Sequence, residues 1–246
     1  MVRILGSESC KSRLLVGVVL ALAVFLVAGH VFEVQAQLDS DNDGISDAKE
    51  LELASLYAPS LQFKSGERFF PVDVEYHLDD SVLKQRTGET VTIVDTSPSV
   101  SSISMLGADY FLASEFGSIA DLAADYESKR ATLGYTVYTQ VKTEAQTIVV
   151  QYWLFYAYND APINEHEGDW EMIMIFLDSS ETPVSAVYSQ HLQGQRTSWG
   201  DVDKDSGTHP KVYVARGSHA NYFRSYQGRL GLESDDVGAD GFALNS

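Results

Sequence analysis

From Tyr57 onward, short runs of β-branched and aromatic residues recur between clusters of Gly, Pro, Asp, Asn and Ser: residues 69–76, 90–94, 135–141, 147–158, 171–177, 184–190 and 211–215. Runs of this length and composition read as strands, and the clusters between them as turns. Tyr135, Val137, Thr139 and Val141 alternate with their neighbours as a half-exposed strand does, whereas 148–158 is apolar on both faces and belongs in the middle of a sheet. One stretch has a helical period instead. Ser118 and Asp121 form a capping-box-like start, Ile119, Leu122, Ala123 and Tyr126 make one face, and Gly134 lies beyond the end. Many strands and few helices predict an all-β chain with minor α content: a two-sheet β-sandwich carrying one or two short helices.

The run 171–177 is preceded by His166-Glu167-Gly168-Asp169-Trp170-Glu171, four ionisable side chains around one Trp. If Asp169 and Glu171 open the strand, they share a face about 7 Å apart at Cα, and Trp170 points the other way, into the core. Two carboxylates with an imidazole three residues earlier can surround magnesium, calcium or manganese, which favour oxygen ligands and tolerate one imidazole. A strand mouth with solvated acids reads equally well from the spacing alone.

The N-terminus is of another kind. Arg3, Lys11 and Arg13 precede an apolar stretch over 14–28, and Val34, Gln35 and Ala36 provide the small residues of a signal-peptidase cut. Residues 1–36 are therefore expected to be a signal peptide, with a secreted chain starting at Gln37. The alternative is a retained signal anchor, because the apolar segment through Phe32 approaches membrane-spanning length. Cys10, the single cysteine, falls in the leader, so the mature part has no disulfide and no thiol chemistry.

Directly after that cut comes a twelve-residue pattern, Asp39-Ser-Asp41-Asn-Asp43-Gly44-Ile45-Ser-Asp47-Ala-Lys-Glu50. Acids occupy loop positions one, three, five, nine and twelve, Gly44 sits at the sharp turn, and the Ile45 carbonyl is available at position seven. This is the spacing of a calcium loop, because it surrounds one ion with six or seven oxygens and ends on a bidentate Glu. With no helix ahead of it after cleavage, it resembles the half-hand loops of dockerin and thrombospondin type 3 repeats, with an exiting helix over 47–56. Residues 37–56 then form a calcium-binding loop and helix, and 57–246 the sandwich. The ion's expected role is to pin the mature N-terminus onto the domain.

The formal charge of −18 becomes −19 once the leader's three basic and two acidic residues are gone. Such a surface repels phosphate backbones, which argues against nucleic acid, and repels anionic lipid headgroups unless cations intervene. The remaining length is enough for one sizeable core.

Tyr57-Ala-Pro-Ser-Leu-Gln-Phe63 and Glu67-Arg-Phe-Phe-Pro71-Val-Asp-Val-Glu75, followed by Gly168-Asp-Trp-Glu171, Tyr188-Ser-Gln-His191 and His209-Pro-Lys-Val-Tyr-Val-Ala-Arg216-Gly-Ser-His219-Ala220, resemble in this order the vacuolar protein sorting protein 62 family. The resemblance covers roughly residues 57–226 and implies further sequence beyond residues 241–244 that adds another strand. A more distant likeness is to the necrosis- and ethylene-inducing secreted toxins. Their His-Arg-His-Asp-Trp-Glu core lies on a lectin-like β-sandwich, holds a divalent cation and acts on plant membrane glycolipids. The likeness implies that His166, Asp169 and Glu171 are cation ligands, with Asp160 the nearest candidate for a preceding Asp ligand, while Gly168 replaces the second motif His.

His191 and His219 follow predicted strands and could reach the same rim as His166. With Glu167 they would suffice for acid/base chemistry on a metal-bound water, or each could simply cap a strand. Tyr152, Trp153, Phe155, Tyr156 and Tyr158 could stack on a sugar or fill the core. The sequence thus supports a secreted, calcium-stabilised sandwich whose rim binds a divalent cation and, through it, a glycan or glycolipid headgroup, with a membrane surface as a further partner. A metal-dependent hydrolase using His166, His191, His219 and nearby carboxylates is the competing class, and a structural module the third.

Overall fold

The run that reads as central on both faces is central. In the computed structural model, which describes residues 2–4, 38–230 and 233–245, the large sheet has the order β1-β6-β7-β8-β9-β10. Its strands are β1 (Val2–Ile4), β6 (Val137–Glu144), β7 (Thr147–Asn159), β8 (His166–Leu177), β9 (Pro183–Gln190) and β10 (Gln193–Ser198). All neighbours are antiparallel except β1, which runs parallel to β6. A second sheet is built on β2 (Ser60–Phe63) and β12 (His209–Val214), paired in parallel, and is extended by β11 (Lys204–Asp205), β13 (Asn221–Tyr222) and β16 (Ala243–Leu244). The two sheets form a sandwich: Leu61, Phe63, Val212 and Val214 share one buried cluster with Val150, Tyr152, Leu154, Ile173, Ile175, Leu177, Ala186 and Tyr188. Full burial of each such side chain contributes roughly 1.5–3 kcal/mol.

Period-two geometry decides what else lies inside. The register sets Val150 opposite Ile175, Tyr152 opposite Ile173, Leu154 opposite Glu171 and Tyr156 opposite Asp169. The inner face of β8 is therefore Asp169, Glu171, Ile173, Ile175 and Leu177, all buried, and the two carboxylates continue the core's own row. Trp170 points the other way, as its position between the acids requires, but that way is out. It is 45% exposed on the outer face, against Tyr138, Trp153 and Phe155. The expectation that Trp170 enters the core is thus corrected, and the strand begins at His166 rather than at Asp169.

Helices fill the ends and edges. The helix α1 (Asp47–Leu56) is capped by the Ser46 hydroxyl and docks through Leu53 and Ala54, whose carbonyl accepts from the Tyr152 hydroxyl at 2.9 Å. Residues 69–76, expected as a strand, instead form an extended link into α2 (Val74–Asp79), because the Asp73 side chain accepts from the Glu75 N–H and starts a helix. There follow β3 (Ser81–Thr87), β4 (Thr90–Asp95), the single turn α3 (Val100–Ile103) and β5 (Tyr110–Ser114), a separate three-stranded flap in the order β4-β3-β5. The predicted helix is α4 (Ile119–Leu133), capped by Ser118 and stopped by Gly134 at φ +67°, with Leu122 and Tyr126 buried. The hairpin β14 (Tyr226–Leu230) and β15 (Glu233–Val237) lies between β13 and β16. Among the described residues no helix is long and apolar enough to cross a membrane. Cys10, the apolar stretch 14–28 and the cleavage residues through Gln37 lie outside the described residues.

Candidate functional site: two acid clusters

Three acids of the N-terminal loop gather in the fold. Ligand oxygens of Asp39, Asp41 and Asp43 lie within 4.8 Å of one another, the one such group of three or more metal-binding side chains among the described residues. Asx-type bonds hold the shape: Asp39 accepts from the Gly44 N–H at 3.1 Å and Asp43 from the Ile45 N–H at 2.9 Å. Gly44 has φ +95°, a conformation that L side chains rarely adopt. Glu50 is buried beneath the loop, and burial, followed by the charges of Asp41, Asp43, Asp47 and Asp39, pushes its carboxyl up to about 7. Asp39 Oδ1 and Asp43 Oδ2 are buried without hydrogen-bond partners. Orphaned carboxylate oxygens facing one another without a base are what a hard cation resolves, so the residues fit calcium. Asp47 lies outside this group and accepts from the Ser40 N–H and hydroxyl at 2.8 and 2.7 Å.

The second cluster lies where the sandwich's inner face reaches the rim. Its centre is His219, fully buried and stacked on Tyr156 at 3.8 Å and 2°. Nδ1 donates to Asp169 Oδ2 at 2.8 Å, and Nε2 lies 3.5 Å from Glu67 Oε1, close enough for ion pairing but outside hydrogen-bond geometry. Burial disfavours the imidazolium, yet the charge of Glu67 and the bond to Asp169 win and raise His219 to about 10. Burial likewise opposes ionisation of Asp169 and Glu67. The nearby His166 and the bond from His219 nevertheless hold Asp169 down to about 2, and the His219 charge holds Glu67 below its ordinary value. Glu171 differs: burial first and the Asp169 charge second hold it well above the carboxylate range, while the Ser189 hydroxyl and Asn221 amide bond to it. The Tyr156 hydroxyl and Asn221 Oδ1 are buried without partners among the described residues.

His166 is the exposed end of this chain of groups. Its Nδ1 donates to the Asn164 carbonyl at 2.7 Å, which turns Nε2 toward Asp169 Oδ1, 3.6 Å away. Within β8, Gly168 has φ +68°, and His166 and Asp169, three residues apart, come within reach of each other across it. His166 and Glu167 line an open cleft of about 390 Å³ with Phe111, Leu112, Ala113, Tyr158 and Glu165, closed on one side by β5, whose Ser114 N–H donates to Glu167 at 2.7 Å.

Of the rim residues singled out from sequence, His166, Asp169 and His219 meet directly, and Glu171 sits one inner-face position along. Asp160 is close in the fold but bound to the Arg68 guanidinium. His191 is on a neighbouring network, its Nε2 2.9 Å from Asp235, which also accepts from Ser218 and Tyr222. His166, His191 and His219 therefore do not converge on one reacting point. Glu67, Tyr156, Asn221 and Asp235 were not singled out as ligands or catalysts. Glu67 stood inside a quoted motif, but nothing local marks it as the partner of a histidine 152 residues away.

No family model matches this chain, and no curated protein matches it. Among solved structures it is similar to NLPPya in complex with glucosamine, at 14% identity and a TM-score of 0.41, covering 78% of this chain and 68% of that one. A structure described as a toxin fold for microbial attack and plant defense matches at 14% identity and a TM-score of 0.41, covering 79% and 69%. Necrosis and Ethylene inducing Protein 2 from the causal agent of cocoa's witches broom disease matches at 14% identity and 0.39, covering 78% and 70%.

Proposed function

We propose that this chain is a secreted, calcium-stabilised binding protein, made with the leader 1–36 and starting at Gln37, whose rim presents a divalent cation to a glycan or glycolipid headgroup. The observation that carries the reading is the double role of Asp169. One oxygen is fixed by the buried His219 while the other faces exposed His166 at the mouth of the cleft. A spacing of 3.6 Å suits two neighbouring ligands of one ion with bonds of about 2.3 Å. A cation held there would supply positive charge and open coordination positions to vicinal hydroxyls. The chain's own residues do the rest: Tyr158 and Phe111 offer ring surface, Glu167 and Glu165 accept hydroxyl protons, and the His219 pair holds Asp169 ionised. Membership of the vacuolar protein sorting protein 62 family remains part of this proposal, on the motifs quoted above.

Three measurements test it. Mass spectrometry of secreted material is expected to give a chain beginning at Gln37; only full-length, membrane-held protein would support the anchor. Because Asp169 is tied to His219, the cleaner variant is His166→Ala, which touches only the exposed ligand. It is expected to lose one bound cation and glycan-array binding while keeping the loop calcium and, in chelator, its melting temperature. Unchanged glycan binding in His166→Ala and Asp169→Asn alike would sink the rim reading.

A further inference from the structure

The large sheet ends at β10, and there its inner face opens to solvent. The register sets Gln193 opposite Gln190, Gln195 opposite Tyr188 and Thr197 opposite Ala186, so these side chains share that face. On β9 it is buried, whereas on β10 Gln193 and Gln195 are exposed and Thr197 is half-buried. They floor an open cleft of about 690 Å³. Residues 222–226 make its wall, with Phe223 stacked on Tyr188 at 3.8 Å and Tyr226 on Tyr222 at 5.4 Å and 15°. Tyr226 keeps 37% of its surface exposed. The back is held by Gln190, which is buried and whose Nε2 donates to Gln195 Oε1 at 3.2 Å and to the Asn221 carbonyl at 2.9 Å, tying β10 to β13. The Gln195 oxygen is thereby engaged, which leaves its two N–H donors for the cleft. The Gln193 side chain bonds to no described residue.

The charges of this cleft balance, unlike those of the molecule. Arg196 borders it, but its alternate position on β10 turns the guanidinium to the outer face, over the Phe176 ring at 5.0 Å and onto the Ser185 hydroxyl at 2.9 Å. That leaves Arg224 and Asp201, one of each sign, in a chain of net −18. No histidine and no second carboxylate lines the cleft, so it offers no metal site. We propose that it is a second carbohydrate site, one that takes an uncharged sugar without a cation and does not depend on the rim. Each sugar hydroxyl both donates and accepts, and planar amides answer both roles, while the C–H face of a sugar ring can pack on the exposed Tyr226. The volume falls within the roughly 300–1,000 Å³ of small-ligand sites, yet the floor is polar where most such sites are apolar, which selects a hydroxyl-rich ligand over an apolar one. With no net charge in the cleft, binding must be nearly indifferent to salt.

An open cleft without a cation holds a sugar weakly, so it is read by NMR titration, whereas an array that is washed reports the rim. In chelator, at least one of cellobiose, lactose and mannobiose is expected to shift the side-chain amide signals of Gln193 and Gln195 saturably, and to do so equally in His166→Ala. The double variant Gln193→Ala/Gln195→Ala is expected to weaken that binding roughly tenfold or more with its melting temperature unmoved, because both side chains are exposed. Tyr226→Ala is expected to weaken it too. Three neutral disaccharides that leave the amide signals in place overturn the proposal, as does a double variant that binds as the wild type does. Binding that needs a divalent cation or disappears in His166→Ala belongs to the rim and also overturns it. Galacturonate binding more tightly than every neutral sugar would overturn the choice of an uncharged ligand.

Discussion

The two acid clusters answer the same physical problem in opposite ways. In the N-terminal loop, Asp39, Asp41 and Asp43 gather with no base among them, and their charges reach Glu50; Lys49, the one base in the loop, is turned away to Glu52 and Glu181. The result is orphaned oxygens and a Glu50 pushed up to about 7. At the rim, Glu67 and Asp169 are more deeply buried, but His219 lies between them and all three stay charged. Whether an acid cluster demands a metal therefore depends less on how many carboxylates it holds than on whether the fold has placed a cation inside it.

The largest expected effect is loss of that internal cation. His219→Leu leaves Glu67 and Asp169 buried without it and should cost about 3–5 kcal/mol in urea unfolding. Full rescue by a divalent cation would break the contrast, because the rim would then behave as the loop does. Next is the loop. Calcium at a hundred times its dissociation constant should stabilise the wild type by about 2.7 kcal/mol, and Glu50→Gln should lose most of that while matching the wild type in chelator at low pH, where Glu50 is protonated. Equal melting curves for the two proteins in both conditions would remove the loop's calcium role.

Acidity separates the clusters further. Glu50 is raised when folded, so its proton stabilises the ion-free protein below the ordinary Glu range, and that stability is lost as pH rises through about 7. In chelator the melting temperature should fall as pH goes from about 4.5 to 7, and with calcium it should rise. His219, raised to about 10, keeps its contribution in full below the ordinary His range and loses it progressively as pH rises from there through about 10. A step near neutral pH in chelator that disappears in Glu50→Gln would sharpen this assignment; a step unaffected by that variant would not belong to the loop. The smallest effect is at Trp170. Half-exposed on the outer face, it should cost only about 1 kcal/mol as Trp170→Ala, well short of the 3–5 kcal/mol of a core aromatic.

The loop was legible because its chemistry is local: twelve consecutive residues specify ligand, turn and exiting helix, and α1 falls where the pattern places it. Strand order was half legible. The parity of β8 was readable, with acids on one face and Trp170 on the other, but both faces continue in apolar residues. Ile173, Ile175 and Leu177 follow the acids, and Met172, Met174 and Phe176 follow Trp170. Nothing in such a strand tells which face is inside. The usual rule that carboxylates avoid the core would put Trp170 inside, a rule suspended here by Ser189 on β9, Asn221 on β13 and His219 in the link before β13. The same limit explains α2, where one Asp73 side chain overrode a β-rich composition.

The two apolar faces of β8 have a consequence for how the molecule reaches its fold. A one-residue slip of β8 against β7 would bring Trp170, Met172, Met174 and Phe176 inward and turn both carboxylates to water, so the early hairpin has two registers of similar greasiness. The arbiter is His219, which meets Asp169 only after fifty more residues have been placed. Choice of register must therefore wait for a distant event, and the chain should refold slowly, through a mispaired hairpin that His219→Leu populates longer. Stopped-flow refolding of that variant, with the same fast and slow amplitudes as the wild type, would show that the register is chosen without it.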